Sequence, residues 1–90
     1  MTLLMCRIEP GPMSHEFAIV VRGTDRDYES WADSRDVRFL HDRTQPPGEG
    51  LVPVRLIDED ADGQRALVEL PAEVIMGSRR VWVPLSQVRR

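Results

Sequence analysis

Apolar and polar residues alternate with a period of two over most of this chain. In Glu16–Arg22 (EFAIVVR), Phe17, Ile19 and Val21 fall on one side, and Ala18 and Val20 on the other. Both sides are apolar, so this segment reads as a strand inside a sheet rather than at its edge. Val52–Asp58 repeats the pattern, with Val52, Val54 and Leu56 facing one way and Pro53, Arg55 and Ile57 the other. Asp62-Gly63 then supplies a tight turn, and Gln64–Leu70 returns with Ala66, Val68 and Leu70 inward. Arg79–Val83 places Val81 and Val83 inward, and Arg80 and Trp82 outward. Leu3–Ile8 is a first apolar strand, ended by Pro10-Gly11-Pro12.

Four stretches are less regular. Gly23–Ser34 (GTDRDYESWADS) places Tyr28, Trp31 and Ala32 at helical spacing, which suits either one helical turn or an extended loop bearing aromatics. Asp36–Asp42 reads as a strand with Val37, Phe39 and His41 on one face, His41 as a structural histidine. Thr44–Gly50 is a loop around Pro-Pro-Gly, and Pro53 marks an edge or a strand start. Ala72–Ser78 is a wide turn whose Val74, Ile75 and Met76 lid the core. Five to six short, mostly antiparallel strands joined by Gly and Pro turns predict an all-β domain with minor helical turns, a small barrel or sandwich. Closing a barrel would remove the exposed strand edges of so short a chain.

Length adds that the 90 residues form a single domain, 1–90. With 41% apolar and 30% charged residues the composition is that of a globular domain. No apolar run exceeds five residues, so none spans a membrane. The N-terminus has no signal-peptide pattern, and the single Cys6 forms no internal disulfide, so a cytoplasmic setting is expected. All 12 basic residues are arginine, and the net charge of −3 argues against nucleic-acid binding over the whole surface.

The ending RRVWVPLSQVRR resembles the close of an SH3-like barrel. There a strand reaches a proline, a 3₁₀ turn follows, and an apolar residue re-enters the core; here these would be Val83, Pro84, Leu85-Ser86-Gln87 and Val88. The W-x-P-x-S-Q ending is also similar to the tails of short bacterial and phage accessory proteins. The resemblance implies a small barrel that works by binding. The chain lacks an ALYDY-like segment and paired mid-chain tryptophans, so the proline-peptide groove of signalling SH3 domains does not carry over.

The sharpest chemical motif is Asp58–Glu69 (DEDADGQRALVE), which fits D-x-[DN]-x-[DN]-G-x₅-E, the calcium loop of an EF-hand. Asp58, Asp60, Asp62 and Glu69 would be its carboxylate ligands. Pro53 and Pro71 oppose the flanking helices that motif needs, so the residues read first as an acidic hairpin turn and second as a calcium site. Arg79, Arg80, Trp82, Arg89 and Arg90 make a basic, aromatic face of the kind that binds single-stranded nucleic acid. A flat Trp and Arg patch equally suits a protein partner, and the acidic net charge favours that reading.

Catalysis has little support. Ser14-His15, His41-Asp42 and Ser86 supply residue types without a nucleophile elbow, and Cys6, His15 and His41 lack zinc-like spacing. No phosphate loop or other cofactor motif occurs. The expectation is a non-enzymatic, SH3-like small barrel without a cofactor, a monomer or homodimer. Its protein partner would meet Trp82, Arg80 and Arg55 together with the loop bearing Asp25, Asp27, Tyr28 and Trp31.

Overall fold

The structure, a computed structural model, describes residues 1–75 and 77–90. Met76, assigned above to the lid, lies outside them. The chain forms β1 (Thr2–Pro10), β2 (Glu16–Arg22), β3 (Asp27–Asp33), β4 (Arg38–Phe39), β5 (Gly48–Glu59), β6 (Arg65–Glu69), β7 (Arg80–Pro84) and β8 (Val88–Arg89). Two 3₁₀ turns, Ser34–Asp36 and Leu85–Gln87, are the only helical elements among the described residues. The fold is a small all-β domain, one antiparallel sheet in the order β3-β2-β1-β5-β6-β7 that curls into a half-barrel. β4 adds to β5 and β8 to β1. Six strands have five residues or more, as the spacing of apolar runs suggests; the other two are two-residue ladders.

Alternation decides which way each strand faces. The core holds Leu4, Cys6 and Ile8 of β1, Ile19 and Val21 of β2, Val52 of β5, Ala66 and Val68 of β6, and Val81 and Val83 of β7. Leu70 and Val74 close it from the β6–β7 turn. Phe17 and Phe39 meet edge to face, with centroids 5.8 Å apart, at its periphery.

β1 and β5 are the spine. β5 pairs with β1 from Gly48 to Val54 and then bends away to pair with β6 from Arg55 onward, through an irregularity between Leu56 and Asp58. Extra residues in one strand bend it and increase its twist, which is how a single strand serves two halves of a curled sheet. Pro53 sits inside this strand, not at a start or an edge. It falls between the part of β5 paired to β4, ending at Leu51, and the part paired to β6, so one flank there has no ladder to lose. The strand also takes in Gly48–Gly50, which the Pro-Pro-Gly signal places in a loop.

Most of Gly23–Ser34 is neither a helical turn nor a loop; Gly23–Arg26 is a turn, between β2 and β3. Asp27–Asp33 is a seven-residue strand paired along its whole length to β2. Cross-strand pairing with an already apolar neighbour overrides the helical spacing of Tyr28, Trp31 and Ala32. The change of period matters: Tyr28, Ser30 and Ala32 face inward, and Trp31 faces out.

The strand expected over Asp36–Asp42 shrinks to Arg38–Phe39. Asp33 Oδ1 accepts from the Arg35 N–H and caps the preceding 3₁₀ turn, while His41 and Asp42 take left-handed backbone (φ 59° and 60°) that ends the ladder. His41 is not a structural histidine; its side chain is 75% exposed and lies 3.8 Å from Glu49.

The two ends of the sheet share no ladder among the described residues, so the barrel expected from edge avoidance stays open. Single hydrogen bonds bridge the gap instead. The Thr24 N–H donates to the Trp82 carbonyl (3.0 Å), and the Ile75 N–H donates to the Glu29 carbonyl (3.0 Å). Buried Ser30 Oγ donates toward the carbonyls of Ala72 (2.9 Å) and Glu73 (3.0 Å). Val74 therefore acts as a lid residue, whereas Ile75 is 52% exposed and does not.

Candidate interaction surface

The outer face of β5-β6-β7 carries the residues singled out above. Ladder register sets Arg55 opposite Glu69 and Glu69 opposite Arg80, a row across three strands. Arg80 Nε donates to Glu69 Oε2 (3.1 Å); Arg55 forms no ion pair among the described residues. One step along, Leu67 faces Trp82. Trp82 is half-buried, with the Arg65 guanidinium 4.8 Å above its ring. That cation–π contact covers one face of the indole. Arg65 is absent from the sequence-derived surface, although its place in the outward series Arg65, Leu67, Glu69 was there to be used.

The curl of the sheet brings the β2–β3 turn beside this patch. The bond from Thr24 to Trp82 sets the turn bearing Asp25 against β7. Tyr28 OH donates to both Asp25 oxygens (2.9 and 2.8 Å), which holds that carboxyl below its ordinary range, and Arg26 lies 4.9 Å over the Tyr28 ring. Tyr28 thus packs against the core and braces the turn. Trp31 is on the opposite face of β3 from Tyr28, the outer face, paired to Ala18 and four residues along the strand from Asp27.

The basic face expected for nucleic acid is largely tied down. Arg79 donates to the carbonyls of Leu70 (3.2 Å) and Pro71 (3.1 Å), closing its own turn. Arg89 donates to the carbonyls of Ser86 (2.6 Å) and Val88 (3.3 Å), and Arg90 pairs with Glu59. Arg80 is held by Glu69, and the ring of Trp82 is covered on one side by Arg65. Phosphate contact would compete with these partnerships for the guanidinium groups.

Asp58–Glu69 is a strand-turn-strand, not a helix-flanked loop. Gly63 takes the left-handed conformation the turn needs (φ 70°). Asp60 organises it: Oδ1 accepts from the N–H groups of Gln64 (3.0 Å) and Arg65 (3.1 Å), and Oδ2 accepts from Arg65 Nε (2.7 Å). Asp58 caps the Glu59 N–H, and Glu69 is at the far end of β6 with Arg80. The hairpin turn, the first reading of these residues, is what the chain forms; the calcium reading placed second loses Glu69, which alternation carries away from the turn. Among the described residues no three His, Cys, Asp or Glu side chains gather as a metal site.

The Arg65 bonds to Asp60 lower that carboxyl to about 2, from an ordinary 3.8. A folded-state value below the unfolded one stabilises the turn above pH ~4 and is lost as pH falls through the folded value. We expect the Asp60 carboxyl to titrate near 2, with the Gln64 and Arg65 amides moving in step in an NMR pH series. A midpoint near four would mean that the Asp60–Arg65 pair does not form in solution.

Cys6 is in the core, and burial pushes its thiol up to about 12, so it stays neutral and unreactive. No helix among the described residues is long and apolar enough to cross a membrane. No family model, curated protein or solved structure matches the chain. The class that fold and surface define is a small all-β half-barrel with a flat Trp and Arg patch on its outer wall.

Proposed function

We propose that this domain is a non-catalytic binding module that engages a protein partner through Trp82, Arg80 and Arg55, flanked by the acidic turn with Asp25 and Asp27. The observation that carries this reading is the half-buried outward Trp82, pinned by Arg65 and adjoined by the acidic turn through the Thr24 bond. A rigid aromatic with flanking arginines is the composition of an interface hot spot. Tyr28 supports the turn from inside, and Trp31 is left out of the contact.

The setting we propose is cytoplasmic, as a bacterial or phage accessory or inhibitor protein; the W-x-P-x-S-Q ending supports it. We read the module as a monomer. Antiparallel self-pairing of the terminal strand β3 about Ser30 would set Asp27 against Asp33, and like charges opposed across a ladder repel.

Trp82→Ala tests the proposal. We expect the variant to lose a captured partner by at least about 2 kcal/mol of binding free energy, roughly thirtyfold, while remaining folded. Capture from the native host with wild type and variant side by side, plus a melting curve, reads both. If the variant unfolds, Trp82 belongs to the core and the surface is wrong. If it captures oligonucleotides with a steep salt dependence, nucleic acid is the partner.

A further inference from the structure

β1 changes partner along one flank. β8 pairs to it at Leu3 and Leu4, and β2 pairs to it from Arg7 onward. Met5 and Cys6 lie between, with no strand beside them on that side. A cavity of ≈ 400 Å³ opens at this seam. Met5 and Val20 give it an apolar floor, and Arg7, Arg22, Asp27 and Glu49 give it charged walls. Cys6 also borders it, as a neutral thiol.

The order of the charges is informative. Across the sheet the ladder places Glu49 next to Arg7 on one side and Asp27 next to Arg22 on the other. The two arginines are on adjacent strands in the middle, since Arg7 is opposite Val20, two residues from Arg22. The carboxylates are on the outer strands. Arg22 and Asp27 face each other in register yet form no ion pair. Arg7 gives its Nε to Glu9, leaving both Nη groups without a partner among the described residues. The Arg7 Nη groups and Arg22 are donors without a partner among the described residues, and Asp27 is an acceptor without one; Glu49 has His41 at 3.8 Å.

We propose that this seam pocket binds a small zwitterion of the α-amino acid class. The ligand carboxylate would lie between Arg7 and Arg22, its ammonium group would face Asp27 or Glu49, and an apolar side chain would rest on Met5 and Val20. The lining charges sum to zero, so a ligand of one sign is attracted by two walls and repelled by two. Only a molecule carrying both charges meets all of them favourably. The volume suits such a ligand, and the open, polar walls suit weak affinity. The site shares Asp27 with the Trp82 surface but does not depend on it; Arg22 is outside that surface, so the two readings can fail separately.

The test is an amide-resolved NMR titration of the whole chain with three matched probes. These are L-leucine, isocaproate (leucine without its amine) and isopentylamine (leucine without its carboxylate). We expect leucine to shift Met5, Cys6, Arg7, Val20 and Arg22 in the millimolar range, and each half-molecule to bind about tenfold more weakly. Arg22→Gln should weaken leucine and isocaproate about tenfold but should not weaken isopentylamine, which loses a repelling charge. Asp27→Asn should weaken leucine and isopentylamine but should not weaken isocaproate, which loses a repelling charge. Spectral dispersion confirms that each variant is folded, and the three probes on the wild type decide the matter alone. No shift at the seam with leucine at about 10 mM overturns the proposal, as does isocaproate or isopentylamine binding as tightly as leucine.

Discussion

Replacing Leu4 by alanine lowers the unfolding midpoint by roughly 10–30 °C, the largest effect we expect of any single truncation. Leu4 is fully buried. It is in register with Val52 of β5 on one side and Val88 of β8 on the other, so its side chain joins both halves of the curled sheet to the C-terminal closure. Its neighbours are β-branched residues on paired strands and cannot collapse into the space left behind. The loss is therefore about 2–5 kcal/mol, the transfer term plus the cavity term. A domain of this size has only about 5–15 kcal/mol in total, so the variant approaches the limit of folding. A melting curve checks it, with Met1→Ala, at a 96% exposed position, as the control. A midpoint within a few degrees of wild type would show that the core does not converge on Leu4.

Gly50→Ala comes second and acts by the opposite mechanism. The strand conformation of Gly50 suits any residue, so the constraint is space. A Cβ there would lie 2.8 Å from Ile8 Cγ1 and 3.2 Å from the Arg38 carbonyl. Ile8 is fully buried and has no free rotamer to retreat to, and the carbonyl belongs to the β4 ladder. We expect a net loss of about 1–3 kcal/mol from overpacking, set against a small gain from a stiffer unfolded chain. Denaturant unfolding measures it. A variant as stable as wild type would mean that β4 can shift on β5 without cost. The same clash explains why a glycine stands inside a twelve-residue strand: β1, β4 and β5 meet there too closely for a side chain.

The acid side of the stability curve has a second contributor. Asp33 is held at about 2, chiefly by its hydrogen bond with the Arg35 side chain and then by the Arg35 N–H. Like Asp60, it supports its turn above pH ~4 and releases it as pH falls toward 2. The Asp33 turn follows β3 at one end of the sheet and the Asp60 turn joins β5 to β6, so acid should loosen these two turns before the β1-β5 pairing.

Much of the architecture was written in local pattern. Period-two burial in Glu16–Arg22, Gln64–Leu70 and Arg79–Val83 was sufficient to name inward and outward residues, because a strand exposes alternate side chains whatever its partner. The short turn begun by Pro84 was legible because proline fixes φ and removes a donor; its 3₁₀ form and the return of Val88 were what the resemblance to an SH3-like ending implied. The outward direction of Trp82 and Arg80 follows from the alternation in Arg79–Val83, and that of Arg55 from the alternation in Val52–Asp58.

Pairing was beyond local reach. Gly23–Ser34 has helical spacing and strand structure because β2 offers it a full ladder, and that choice moved Tyr28 to the inside and left Trp31 on a separate face. The turn of Asp58–Glu69 matches a metal-loop pattern that is blind to distance, and alternation then carries Glu69 to Arg80. The seam pocket exists only because β8 and β2 take different parts of one flank of β1. A residue's own backbone preference is encoded within a few neighbours, whereas a strand's partner is chosen by burial summed over the whole sheet. That sum is what placed Arg65 over Trp82 and gathered Arg7, Arg22, Asp27 and Glu49 around one opening.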